Sequence, residues 1–210
     1  MGSWNDVKSY DLNSDFFIHN GAKILKNKMC NGHVIRPLGN FVSFYEYCTS
    51  VGGVYRFAIC LDPQNCVISQ KYNLQAEPRC AINVIHRPSN EIRVFKGSLF
   101  NFKSLKQFYV EFDLKPGGTQ GGEFKIEHST SSKYKSANLK LHSNHLLTDE
   151  DKNLIKTQGL YDLHKVFQAI HPNKIENYLL GDGKLTEDKE DDDKSNKEEE
   201  KELISLDDLF

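Results

Sequence analysis

The sequence predicts a mainly β protein, a partly open barrel that carries short helices and is followed by an acidic tail. Three observations lead there. Between Asp15 and about Phe112, short segments rich in β-branched and aromatic residues alternate with turn formers. Further on, apolar residues fall at helical spacing. From about residue 184 the composition collapses into Asp, Glu and Lys, which cannot bury enough apolar surface to fold, so 184–210 is expected to be disordered.

The expected strands are "HVIRP", "FVSFYEYC", "VYRFAIC", "CVISQKY", "CAINVIH" and "EIRVFKG". Between them stand "PLGN", "TSVGG", "LDPQN" and "RPSN", each supplying Gly, Pro, Asn or Asp where the chain must reverse. Strands at this spacing suggest a small barrel or sandwich, and a partly open barrel is the simplest closure. In "SLFNFKSLKQF" the apolar residues 99, 102, 105 and 108 trace a helical stripe. "PGGTQGG" is expected to be a flexible loop, and "GEFKIEHS" and "YKSANLKLHS" return to strand-like alternation. Thr148 ahead of acidic residues reads as a helix N-cap. "LYDLHKVFQAI" and "HPNKIENYLLGDG" read as short helices, the second stopped by Gly181. The organisation expected is a domain over 1–183, with a helical subregion at about 148–181, and a protein-interaction tail over 184–210.

The formal net charge of −2 hides an asymmetry. Residues 186–210 hold 12 acids and 4 lysines, a balance of −8, which leaves 23 bases against 17 acids, or +6, on the rest. A basic body joined to an acidic arm suggests a polyanion partner and an internal competitor for its site. No apolar run is long enough to span a membrane as a helix, and no basic-then-apolar leader is visible. The five cysteines are scattered and odd in number, with no C-x-x-C pair, so they read as reduced thiols in a cytoplasmic protein.

Several segments together carry a resemblance. In order they are "RPLGNFVSFYEYC", "RCAINVIHRPSNEIRVFKGSLFNFKSL", "GGEFKIEHSTSSKYKSANLKL", "LYDLHKVF" and "NKIENYLLG", then an acidic tail with an apolar end. Over roughly Val34 to Gly181 the chain resembles the single-stranded-DNA-binding (helix-destabilising) proteins of T-even-type bacteriophages. The resemblance implies an oligonucleotide-binding (OB) barrel that coats single-stranded DNA in replication, recombination and repair. It would lie in the host cytoplasm, monomeric or weakly self-associating on DNA, while its tail recruits replication partners. Those relatives hold zinc with one His and three Cys, two of them close together, and carry a basic N-terminal arm. Here Cys60 and Cys66 are separated by five residues and "MGSWNDVKSYD" is close to neutral, so neither zinc nor strong cooperativity is expected.

Coating a single strand requires cations for phosphates and aromatic faces for bases. The candidates are Tyr45 and Tyr47, Tyr55 and Arg56, Lys71 and Tyr72, and Lys133, Tyr134 and Lys135 with Lys140. Alternate strand residues share a face, so Tyr45 and Tyr47 would point into a groove while Phe44 faces the core. Arg79, Arg87 and Arg93 flank "CAINVIH" and would line the same groove. His33, Cys48, Cys60 and Cys66 offer a tetrahedral donor set, but without ligand spacing, and the remaining histidines, His86 among them, show no ligand pairing. No metal or other cofactor is expected. With no phosphate-loop, nucleophile-elbow or zinc-protease motif, no enzyme is expected either.

The last eight residues contain five large apolar groups, which a purely solubilising arm does not need. Leu203, Ile204, Leu206, Leu209 and Phe210 read as anchors, and Asp207 and Asp208 as steering charges, for docking onto partner proteins. An alternative reading takes "LISLD" as a clathrin-binding peptide of an endocytic adaptor.

Overall fold

The computed structural model describes residues 14–51, 54–60, 62–128 and 137–181, which form eight strands and five short helices. They fall into two compact units, one built from residues 14–43 and 79–166, the other from 44–78 and 167–181. The tail and Lys133, Tyr134 and Lys135 lie outside the described residues.

In the first unit, β1 (Phe16–His19) and β2 (Ala22–Leu25) form a tight hairpin. Its two turn residues, Asn20 and Gly21, have φ of +46° and +78°, the combination that matches the right-handed twist of the flanking strands. After a 3-10 turn at Asn27–Met29 comes β3 (Val34–Val51), which starts in this unit and ends in the other. A reversal was expected at "PLGN", but the chain runs on as one strand. Gly39, at φ +65°, absorbs a local irregularity there, and its N–H donates to Gly117 O at 2.8 Å.

β5 (Glu77–His86) and β6 (Glu91–Ser98) make the hairpin expected at "RPSN", and β7 (Gln120–His128) and β8 (Ala137–Leu146) pair antiparallel. The strand order is β1-β2-β6-β5-β3-β7-β8, with β2 parallel to β6. Among the described residues nothing pairs β8 back onto β1, so the sheet is open rather than a closed barrel.

Helix α2 (Leu99–Phe112) buries Phe102, Leu105 and Phe108 on one sheet face, against Ile82, Val84, Phe95, Phe124 and Ile126. Each such side chain contributes about 1.5–3 kcal/mol. The alternate β5 residue Ile85 faces the other way and clusters with Leu38, Ile92 and, from α3 (Asp149–Gln158), Leu154 and Ile155. β5 is thus covered on both faces, which is why "CAINVIH" reads as nearly continuous apolar sequence. The N-cap of α3 is Thr148, whose Oγ1 accepts from Asp151 N at 3.1 Å. α4 (Leu163–Val166) is a single turn, shorter than "LYDLHKVFQAI" suggested.

The glycine-rich segment ahead of β7 was expected to be a flexible loop, yet it is pinned. The fully buried guanidinium of Arg36 donates to the carbonyls of Gly118, Thr119, Gly121 and His145. Gln120–Gly122 already belong to the strand.

In the second unit, β4 (Val54–Cys60) pairs antiparallel with the far half of β3, from Tyr45↔Cys60 to Val51↔Val54. "CVISQKY" was expected to be a strand, but Val67–Tyr72 is helix α1, closed by Asn73 in the left-handed conformation. Its β-forming composition is overridden by packing, because a helix seats Ile68 in the core while Ser69 reaches the Tyr47 hydroxyl at 2.5 Å. α5 (Pro172–Leu180) adds Ile175, Tyr178 and Leu179 to that core and ends at Gly181 as expected. Phe44 stacks on Phe167 with ring centroids 4.7 Å apart. Among the described residues no helix is long and apolar enough to cross a membrane.

Candidate nucleic-acid interface and an Asp-Cys-His-His cluster

The second unit places three large aromatic rings in solvent. Tyr45, Phe57 and Tyr72 are 44%, 47% and 40% exposed. Lys71 accompanies Tyr72, with its Nζ 5.2 Å from the ring centroid. Both side chains also donate to Glu176 Oε1, Lys71 from 2.8 Å. The carboxylate's bond and charge raise the Lys71 ammonium above its ordinary value. The antiparallel register puts Tyr45 on the face shared with Tyr47 and Ala58, while Phe57 points to the opposite face of the ribbon. Phe57 was not among the residues expected from sequence, which took only Tyr55 and Arg56 from "VYRF".

Tyr47 must be removed from the stacking set. It lies on the same strand face as Tyr45, but at its end of the strand α1 and α5 cover that face, so its ring is fully buried. Burial pushes its hydroxyl up to about 12. Arg56 also serves the fold: its Nη1 donates to the carbonyls of Gly181 at 2.6 Å and Tyr178 at 3.4 Å, capping the α5 C-terminus. The side chain of Tyr55 lies outside the described residues.

In the first unit, the arginines expected to line a groove are largely occupied. Arg93 is buried, with Nη1 on Asp15 Oδ1 at 2.7 Å and Nη2 on Glu91 Oε2 at 3.1 Å. Arg87 forks onto Asp151 and bonds Glu123 through Nε. Neither arrangement leaves a guanidinium for phosphate. Arg79 is half-buried, paired across the hairpin with Ser98. Lys140 remains exposed, directly opposite Lys125 in the β7–β8 register. Two like charges facing each other disfavour the pairing, an effect eased here by Glu127, whose Oε1 lies 3.8 Å from Lys125 Nζ.

Of the four donors that sequence offered to a metal, His33 belongs to the first unit and Cys48, Cys60 and Cys66 to the second. A different quartet comes together within one unit. Asp15, Cys30, His33 and His86, all in the first unit, present one donor atom each, and these atoms lie within 4.8 Å of one another. His33 Nδ1 and His86 Nε2 are 2.9 Å apart and share a hydrogen bond. Asp15 Oδ2 is 3.8 Å from the first nitrogen and 3.5 Å from the second. Cys30 and His86 are buried, while Asp15 and His33 are partly exposed. Burial holds the His86 imidazole down to about 4, so it is neutral near pH 7, and pushes the Cys30 thiol up to about 12. For Asp15, burial acts upward, but the bond and charge of Arg93 and the two imidazoles bring its carboxyl below the ordinary value.

Sequence reasoning missed Asp15, Cys30 and His86. One signal was present: "CNGH" sets Cys30 and His33 at the C-x-x-H spacing of a metal knuckle. The other two members of the cluster, Asp15 and His86, come from distant segments and carry no local pattern.

The chain matches no protein-family model and no curated protein.

Proposed function

We propose that this protein binds single-stranded DNA, using solvent-facing aromatic rings as stacking platforms and its basic body to attract phosphates. The observation that carries the reading is the exposure of Tyr45, Phe57 and Tyr72 in a unit that buries Tyr47, Phe167 and Tyr178. A base stacked on such a ring is worth about 1–3 kcal/mol whatever its identity, which suits a protein that coats a strand without reading it. The order of segments resembling phage helix-destabilising proteins supports the same function, as does the split of charge into +6 and −8. In this reading the tail recruits replication and recombination proteins through Leu203, Ile204, Leu206, Leu209 and Phe210.

A fluorescent oligo-dT titration at two salt concentrations tests it. Saturable binding that weakens as salt rises, through counterion release, is the expected result. No binding at the lower salt would overturn the proposal. In that case retention on immobilised clathrin through "LISLD" would favour the adaptor reading.

A further inference from the structure

We infer that Asp15, Cys30, His33 and His86 form a closed, structural zinc site in the first unit. The donor set is one that zinc accepts: two imidazole nitrogens, a thiolate and a carboxylate oxygen, four in all. With zinc bonds of about 2.0–2.3 Å, tetrahedral geometry sets donors about 3.3–3.8 Å apart. Between oxygen and nitrogen donors this is about 3.3–3.5 Å: Asp15 Oδ2 is already 3.5 Å from His86 Nε2, and the 3.8 Å to His33 Nδ1 has to close by a few tenths of an ångström. The 2.9 Å between the two rings has to open by a few tenths of an ångström, which replaces one N–H···N bond by two bonds to metal.

The surroundings favour a metal over a simple polar cluster. His86 Nδ1 lies 2.9 Å from Ser89 Oγ. With its proton donated there, Nε2 presents a lone pair to the other donors, the second-shell arrangement that fixes a ligating imidazole. Asp15 is held in the same way: Arg93 takes Oδ1 and leaves Oδ2 facing the histidines. A tight turn brings Cys30 and His33 together, with His33 N donating to Cys30 O at 3.0 Å and Gly32 at φ +84°.

Proton balance is simple. Cys30 releases its thiol proton to solvent, and His33 keeps a single proton by moving it from Nδ1 to Nε2. The dication then meets one thiolate and one carboxylate, so the buried charges cancel. All four positions are filled by protein, leaving none for water or substrate, as in structural rather than catalytic sites. The metal would tie three distant points of the first unit: the approach to β1, the turn before β3 and the end of β5. This inference does not depend on the proposed DNA binding.

The test uses the full-length, untagged chain grown in zinc-supplemented medium. About one zinc per chain is expected by elemental analysis, with chelator lowering the melting temperature and added zinc restoring it. Cobalt-reconstituted protein should show a thiolate charge-transfer band and the intense visible bands of a tetrahedral site. His33→Gln and Cys30→Ser should each lose the metal, while Cys60→Ser and Cys66→Ser keep it. Ser89→Ala should keep the stoichiometry but weaken affinity by about 10–100-fold. Metal-free protein whose melting temperature ignores added zinc would overturn the site. So would a cobalt spectrum without the thiolate band, or zinc retained by both His33→Gln and Cys30→Ser. The cobalt spectrum is read on the unaltered chain, so the inference is decided even where a variant fails to fold.

Discussion

Arg87 holds both carboxylate oxygens of Asp151, at 2.6 and 3.1 Å, across 64 positions of sequence. The bond fastens the β5–β6 hairpin to the first turn of α3. Asp151 is 2% exposed, so its charge has little water to fall back on. Arg87→Ala should therefore destabilise the protein by about 3 kcal/mol, the low end for breaking a buried pair, because Arg87 itself retains some solvent contact. Urea denaturation at neutral pH measures this. Oligo-dT affinity should hardly change, since this guanidinium is already occupied.

The same cluster sets an acid limit. Burial alone would raise the carboxyls of Asp151 and Glu123, but the bonds and charge of Arg87 outweigh it, and both lie below their ordinary values. A carboxyl lowered by folding gives its full stabilisation above its unfolded value, about 4, and loses it as pH falls through the lower folded value. Stability should thus drop below about pH 4, and drop less steeply in Arg87→Ala, where the partner charge is gone. Denaturation midpoints at neutral pH and at several acid values would show whether the two curves converge.

The exposed aromatics separate from the buried one. Tyr45→Ala, Phe57→Ala and Tyr72→Ala should leave the fold intact, and at least one should weaken oligo-dT binding by about 1 kcal/mol or more. Tyr47→Ala removes a ring from the second unit's core and should cost about 3–5 kcal/mol of stability instead. Equilibrium titrations paired with thermal melts distinguish the two classes, and unchanged affinity in all three exposed variants would remove the stacking surface.

In the proposed reading, the segregation of charge makes the acidic tail a competitor for the polyanion. Deleting residues 186–210, which carry −8, should tighten single-stranded-DNA binding, most at low salt where screening is weak. Removing only Leu209 and Phe210 leaves the side-chain charge unchanged, so DNA affinity should stay while capture of replication proteins drops. Weaker DNA binding after the full deletion would count against the competition.

Gly122 reports on the packing of α2. A Cβ there would lie 2.9 Å from Phe108 Cε2, 3.0 Å from Leu141 Cδ1 and 3.2 Å from Phe124 Cε2. Gly122→Ala should destabilise by about 1–3 kcal/mol through overpacking, readable as a lower denaturation midpoint with an unchanged slope.

Much of the β framework was legible because its signals are local. Alternation and turn residues marked β5 and β6, and the spacing of Phe102, Leu105 and Phe108 marked α2. The exceptions have distant causes. Val67–Tyr72 has strand-like composition but is helical because Tyr47, Ala58 and α5 supply a pocket for Ile68. The β1–β2 hairpin was passed over although Asn20–Gly21 is a strong turn signal. For the candidate interface, sequence singled out Tyr45, Lys71 and Tyr72, which are exposed, but could not tell that Arg87 and Arg93 have acidic partners up to 78 positions away. The Asp15–Cys30–His33–His86 cluster was half visible in "CNGH" and otherwise hidden, since Asp15 and His86 join it only through the sheet.

The distribution of thiols turns the protein into its own unfolding reporter. Four of the five cysteines are buried and only Cys48 is exposed. A thiol reagent added to the native chain meets one fast-reacting sulfur, and the remaining four answer only as their surroundings open. Cys30 and Cys80 lie in the first unit's core, Cys60 and Cys66 in the second's. Mass spectrometry of partially labelled protein therefore reads the opening of each unit separately, in a single sample and without an engineered probe.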